Sequence, residues 1–81
     1  MVKDMTLYEG RVGGQFQIVG IQLEQFQLTR RLEALGINEM TVVQKLNAKH
    51  GGACIIKVRG TRLAIGKHIA QGIEVVPKEE E

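Results

Sequence analysis

Residues Arg59-Gly60-Thr61-Arg62-Leu63-Ala64-Ile65 decide how this chain folds. Together with the preceding Ala53-Cys54-Ile55-Ile56-Lys57-Val58 they read as two short strands joined by a tight turn. Cys54, Ile56 and Val58 alternate to one side, and Lys57 and Arg59 to the other. Gly60-Thr61 fits a two-residue hairpin turn with glycine at its first central position. The return strand, Arg62 to Ile65, aims Leu63 and Ile65 at the core.

The counterpart lies upstream, at Leu28-Thr29-Arg30-Arg31-Leu32-Glu33-Ala34-Leu35-Gly36-Ile37. Leu28, Leu32 and Leu35 recur at i, i+4 and i+7, the spacing of one apolar helical stripe, and predict a helix over 23–35. Gly36 supplies a left-handed residue just past the helix, and Ile37 folds back onto the last turn. Arg30 and Arg31 sit toward the C-terminal half, where the helix dipole favours cations. The helix start is poorly marked, because no Ser, Thr, Asp or Asn directly precedes Leu23.

Between and around these halves the punctuation is that of a β protein. Gly13-Gly14 is a turn signal. Gln15 to Ile21 reads as a strand with Phe16 and Ile18 on one face, and Gly20 marks a bulge or a close backbone approach. In Met40 to Leu46, alternation puts Met40, Val42 and Leu46 on one face and Thr41 and Lys45 on the other. Asn47 to Gly52 is a loop, Gly66 to Gln71 one helical turn, and Gly72 to Val76 a last strand with Ile73 and Val75 inward. Pro77 is expected to stop the ladder. The organisation predicted is a single domain over 1–76 and an acidic, disordered tail over 77–81. About five short strands and one helix in so short a chain predict a mainly β fold, a small antiparallel barrel with the helix packed on it. Closure removes free sheet edges.

The chain has 81 residues, enough for one domain. Apolar residues make up 43% of it, but there are only two Phe, one Tyr and no Trp, so aliphatic side chains must fill the core. One cysteine, Cys54, excludes an intramolecular disulfide. The beginning of the sequence lacks a signal-peptide apolar run, and no segment is apolar for long enough to span a bilayer. A cytoplasmic protein is expected. The formal net charge is +2. Without Glu79-Glu80-Glu81 the body is five charges positive, an excess that attracts acidic partners.

Reactive chemistry is hard to find. The sequence contains no serine, and its glycines form no phosphate loop. His50, His68 and Cys54 are the candidate metal ligands, but they have no Cys-x-x-Cys or His-x-x-x-His spacing, and no metal site is assigned to them. Cys54 lies in an apolar alternation and reads as a small core residue. The stronger signal is cationic. Lys45, Lys57, Arg59 and Arg62 all alternate outward, and Lys57, Arg59 and Arg62 line one patch across the hairpin. With Arg30 and Arg31 of the helix they form the candidate partner-binding set. Aromatic residues are too few for single-strand stacking, which argues against a nucleic-acid partner.

The segments 28–37 and 56–65, in this order and at this spacing, resemble the ferrous iron transport protein A family (FeoA-like), as do Thr6-Leu7 and Ile18-Val19-Gly20-Ile21. The resemblance runs from about Met5 to Val76. It implies an SH3-like barrel, agreeing with the strand count, and a non-enzymatic accessory that docks on the cytoplasmic, G-protein-bearing part of the iron permease FeoB. Leu28, Leu32, Leu35, Gly36, Val58, Gly60, Leu63 and Ala64 map onto its scaffold positions. By analogy with the similar domain at the end of iron-dependent repressors, it also implies weak binding of a divalent metal (Fe2+); no other cofactor is expected. A metal-responsive domain using His50, His68 or Cys54, and a small basic nucleic-acid-binding barrel, are the competing readings. The sequence departs from the family at Gln22–Gln25, which lacks turn residues, and at Glu39-Met40, where the family often has Pro-Gly.

Overall fold

The computed structural model describes residues 5–78. Six antiparallel strands form one sheet: β1 (Met5–Thr6), β2 (Gln15–Ile21), β3 (Val42–Ala48), β4 (Cys54–Val58), β5 (Thr61–Ile65) and β6 (Ile73–Pro77), in the order β1-β6-β2-β3-β4-β5. Helix α1 (Phe26–Ala34) follows β2, and the short helix α2 (Lys67–Ala70) links β5 to β6. The fold is mainly β and of the SH3-like type, but the sheet does not close into a barrel. Strands β1 and β5 are its two edges. The strand missed by sequence is β1, which is too short for any alternation to register.

The core lies under the curved sheet. Ile18, Ile56, Ile73 and Val75 are completely buried, and Phe16, Val43, Cys54 and Val58 nearly so. Each aliphatic side chain of this kind contributes about 1.5–3 kcal/mol on burial. The alternations expected for β2, β4, β5 and β6 hold, and the irregularity expected at Gly20 is a register shift between Ile18 and Gly20. The ladder passes Pro77 by one bond, because the Lys78 N–H donates to the Gln15 carbonyl (2.8 Å). Pro77 pairs with Phe16 while its nitrogen, alternating with that of Lys78, faces away from β2. The tail residues 79–81 lie outside the described residues.

Helix α1 begins at Phe26, three residues later than the periodicity predicts, and Gln25 gives it no side-chain cap. Its end is as expected. Gly36 adopts φ 91°; its N–H donates to the Glu33 carbonyl (3.0 Å), and the Ile37 N–H to the Leu32 carbonyl (2.8 Å). These two bonds define a Schellman end, and Leu32 and Ile37 on either side of it are both buried in the core. The helical stripe, however, is only partly covered. Leu32 is buried, Leu28 is half-buried and Leu35 is 53% exposed.

In β3 the predicted face is inverted. Val43 and Lys45 point inward, and Val42 is exposed. Lys45 is 3% exposed, and its Nζ donates to the carbonyls of Leu7 (3.2 Å), Tyr8 (2.9 Å) and Gly10 (2.7 Å). Those carbonyls end a turn whose other end is tied reciprocally: the Thr6 N–H donates to Glu9 Oε1 (2.9 Å), and the Glu9 N–H to Thr6 Oγ1 (3.3 Å). This is the Ser/Thr-x-x-Glu capping pattern on a single turn. An ammonium has three protons, and all three find acceptors, which is why a lysine can occupy a core position here.

The departure at Glu39-Met40 keeps its turn. The Thr41 N–H donates to the Asn38 carbonyl (3.1 Å), and Met40 sits at φ 75° and 71% exposed. A positive φ at this place favours glycine.

Two stability changes follow. Lys45→Met leaves the Leu7 and Gly10 carbonyls buried without donors and is expected to lower unfolding free energy by about 2–3 kcal/mol in urea denaturation. Met40→Gly removes left-handed strain and is expected to raise it by about 1 kcal/mol in the same measurement.

Candidate functional site

The β4–β5 hairpin carries the candidate site, and its turn differs from the predicted one. Val58 pairs with Thr61, so Arg59 and Gly60 are the central residues, at φ 53° and 81°. Two positive φ values mark a type I′ turn, whose twist matches the flanking strands. Glycine meets that demand freely. Arg59 does so against a left-handed penalty of about 1–2 kcal/mol. Its side chain runs to the end of α1, where a Cβ on Gly36 would lie 3.5 Å from Arg59 Cδ and Nε. The guanidinium stem therefore lies at the carbonyl end of the helix, the end that favours a cation.

Lys57 and Arg62 are directly opposite each other on β4 and β5, both exposed, with Gln44 of β3 next in the row. Arg31 projects from α1 toward the end of β5 and lines a groove with Ala64, Ile65 and Gly66. Arg30 takes the other side of the helix, over the Phe26 ring (5.7 Å to its centroid). The structure thus brings Lys57, Arg59 and Arg62 together at the turn end of β5, sets Arg31 beside its other end, and leaves Arg30 pointing away from the groove face. Lys45, expected among the outward cations, is inside.

The groove between α1, β5 and α2 has a volume of about 480 Å³. Leu28, Leu35, Ala64 and Ile69 line it, so the helix residues expected in the core form an open apolar wall instead. Sequence reading missed this groove; the signal available was that a stripe of leucines on so short a helix need not all be covered.

His50 is exposed in a 3-10 turn (His50–Gly52), and His68 is exposed on α2. Cys54 is 1% exposed in β4. Among the described residues no three His, Cys, Asp or Glu side chains converge as a metal site, and no helix is long and apolar enough to cross a membrane.

A family model described as the FeoA domain matches residues 5–77. Among solved structures, a crystal structure of an iron uptake regulatory protein (FeoA) is 27% identical, with 95% of this chain and 100% of that chain covered and a TM-score of 0.80. The FeoA protein from Chlorobium tepidum is 22% identical, with 95% and 73% covered and a TM-score of 0.86. A manganese-dependent transcriptional repressor in complex with manganese is 21% identical with a TM-score of 0.86; 96% of this chain is covered, and it spans 38% of the repressor's length. No curated protein sequence matches the chain.

Because Arg59 is strained where Asn is favoured, Arg59→Asn is expected to leave the urea midpoint unchanged or to raise stability by up to about 1 kcal/mol. A loss of more than about 1 kcal/mol would show that the stem's packing on Gly36 outweighs the turn.

Proposed function

The chain belongs to the FeoA domain family, and on that premise we propose that it is a non-catalytic cytoplasmic accessory of ferrous iron uptake that docks on the cytoplasmic, G-protein-bearing part of the permease FeoB. The observation that supports docking through this face is the pairing of Lys57 with Arg62 beside Arg59. Like charges directly opposite on adjacent strands destabilise a hairpin by a few tenths to about 1 kcal/mol. A left-handed arginine adds to that. An anionic partner surface offsets the repulsion, and the same field speeds the encounter. Docking alters the transporter only through better binding to one of its states than to another.

The repressor neighbours share the fold, and at their level of identity the fold alone. A metal-responsive role would have to draw on Cys54, which is buried, and on His50 and His68, which lie on separate exposed elements.

The test is capture of the purified cytoplasmic domain of FeoB by the wild type and by the double variant Arg59→Glu, Arg62→Glu. Capture is expected to weaken at least about tenfold in the variant, and wild-type capture to weaken as salt screens the face. Equal capture by both removes this face from the interface.

A further inference from the structure

The arginines flank a second feature, an open sheet edge. In a two-residue hairpin the closing pair, Val58 and Thr61, exchanges hydrogen bonds, and alternate residues then point the other way. Leu63 and Ile65 therefore bond β4, whereas Arg62 and Ala64 turn their N–H and C=O groups outward. Among the described residues no strand follows β5 in the sheet. Ala64 is exposed, and beside it lies the apolar groove walled by Leu28 and Leu35.

We propose that the β5 edge accepts an extended strand from a partner protein, with carboxylates alternating with apolar residues. Strand addition takes its affinity from the main chain and its specificity from alternate side chains. The period of two along the incoming strand fits both surfaces. On the outer face its alternate residues lie beside Arg62, which is basic and is backed by Lys57 on the next strand. On the inner face they lie toward Leu28, Leu35 and Ile69, which are apolar. Charge also argues against a second copy as the occupant: antiparallel pairing of β5 with β5 would bring Arg62 close to its own duplicate. The chain's own acidic end, Glu79-Glu80-Glu81, lacks the apolar alternate positions. The inference names the chemistry of the ligand strand and not its owner, so it does not depend on the transporter reading.

The probe is a short capped peptide alternating glutamate with leucine, titrated into the isotope-labelled full chain and followed by NMR and amide hydrogen exchange. The Arg62 and Ala64 amides are expected to shift and to gain protection. Replacing the glutamates by lysine is expected to abolish binding. N-methylation of alternate peptide amides, made in both registers, is expected to weaken binding at least about tenfold in the register facing β5 and not in the other. Ala64→Pro removes an edge N–H without touching the β4 ladder and is expected to weaken binding about as much. Should that variant fail to fold, the methylated pair decides. Insensitivity to methylation in both registers, or protection of the same amides by a dimer of the chain without peptide, overturns the proposal.

Discussion

The fold depends on the Lys45 ammonium. Leu7 is completely buried, yet it belongs to a turn with only the two-residue β1 behind it. Lys45 fixes that turn from the β3 side through three carbonyls. From the other side, the Leu7 N–H donates to the Ile73 carbonyl (2.8 Å) and the Tyr8 N–H to the Ala70 carbonyl (3.4 Å). The turn thus ties β3 to β6 and α2. An isolated ammonium could not remain in such a place, because desolvating an unpaired charge costs far more than one side chain's burial returns. Three oriented carbonyl dipoles replace its water shell. The core is sealed by a turn and one cation, and β5 is left free as an edge.

How far the sequence carried this picture follows from the same residues. Where burial and periodicity agree, as in β2, β4 and β6 and at the Gly36-Ile37 helix end, reading the residues located both element and face. In β3 alternation put Met40, Val42 and Leu46 on the core face, whereas Val43 and Lys45 are the residues that point inward. What reverses it, three carbonyls ending the Thr6–Gly10 turn, is tertiary and leaves no periodic trace. The hairpin turn was displaced by one residue because a left-handed arginine is a poor expectation beside a glycine. The barrel was inferred from strand count, but β1 and β5 do not pair and the sheet stays open. At the site, the outward cations of β4 and β5 were legible from alternation; the groove was not, because Leu28 and Leu35 were assigned to the core.

An uncovered edge strand beside an apolar groove invites indiscriminate pairing, and charged side chains on the edge are a common protection. Arg62 on the edge, backed by Lys57 on the next strand, satisfies that requirement for any approaching strand that is neutral or basic, including a copy of β5 itself. The same two charges that reject those strands select an acidic one, so protection and recognition do not demand different residues. This also accounts for where strain is tolerated. The positive φ of Arg59 turns the hairpin in the sense that the strands require and lays its stem against Gly36, so one cation stands at the junction of edge and helix. A glycine there would relax the backbone and remove the charge from the mouth of the groove. A turn built only for stability would favour Asn-Gly here. The arginine fits a surface whose task is to discriminate among partners.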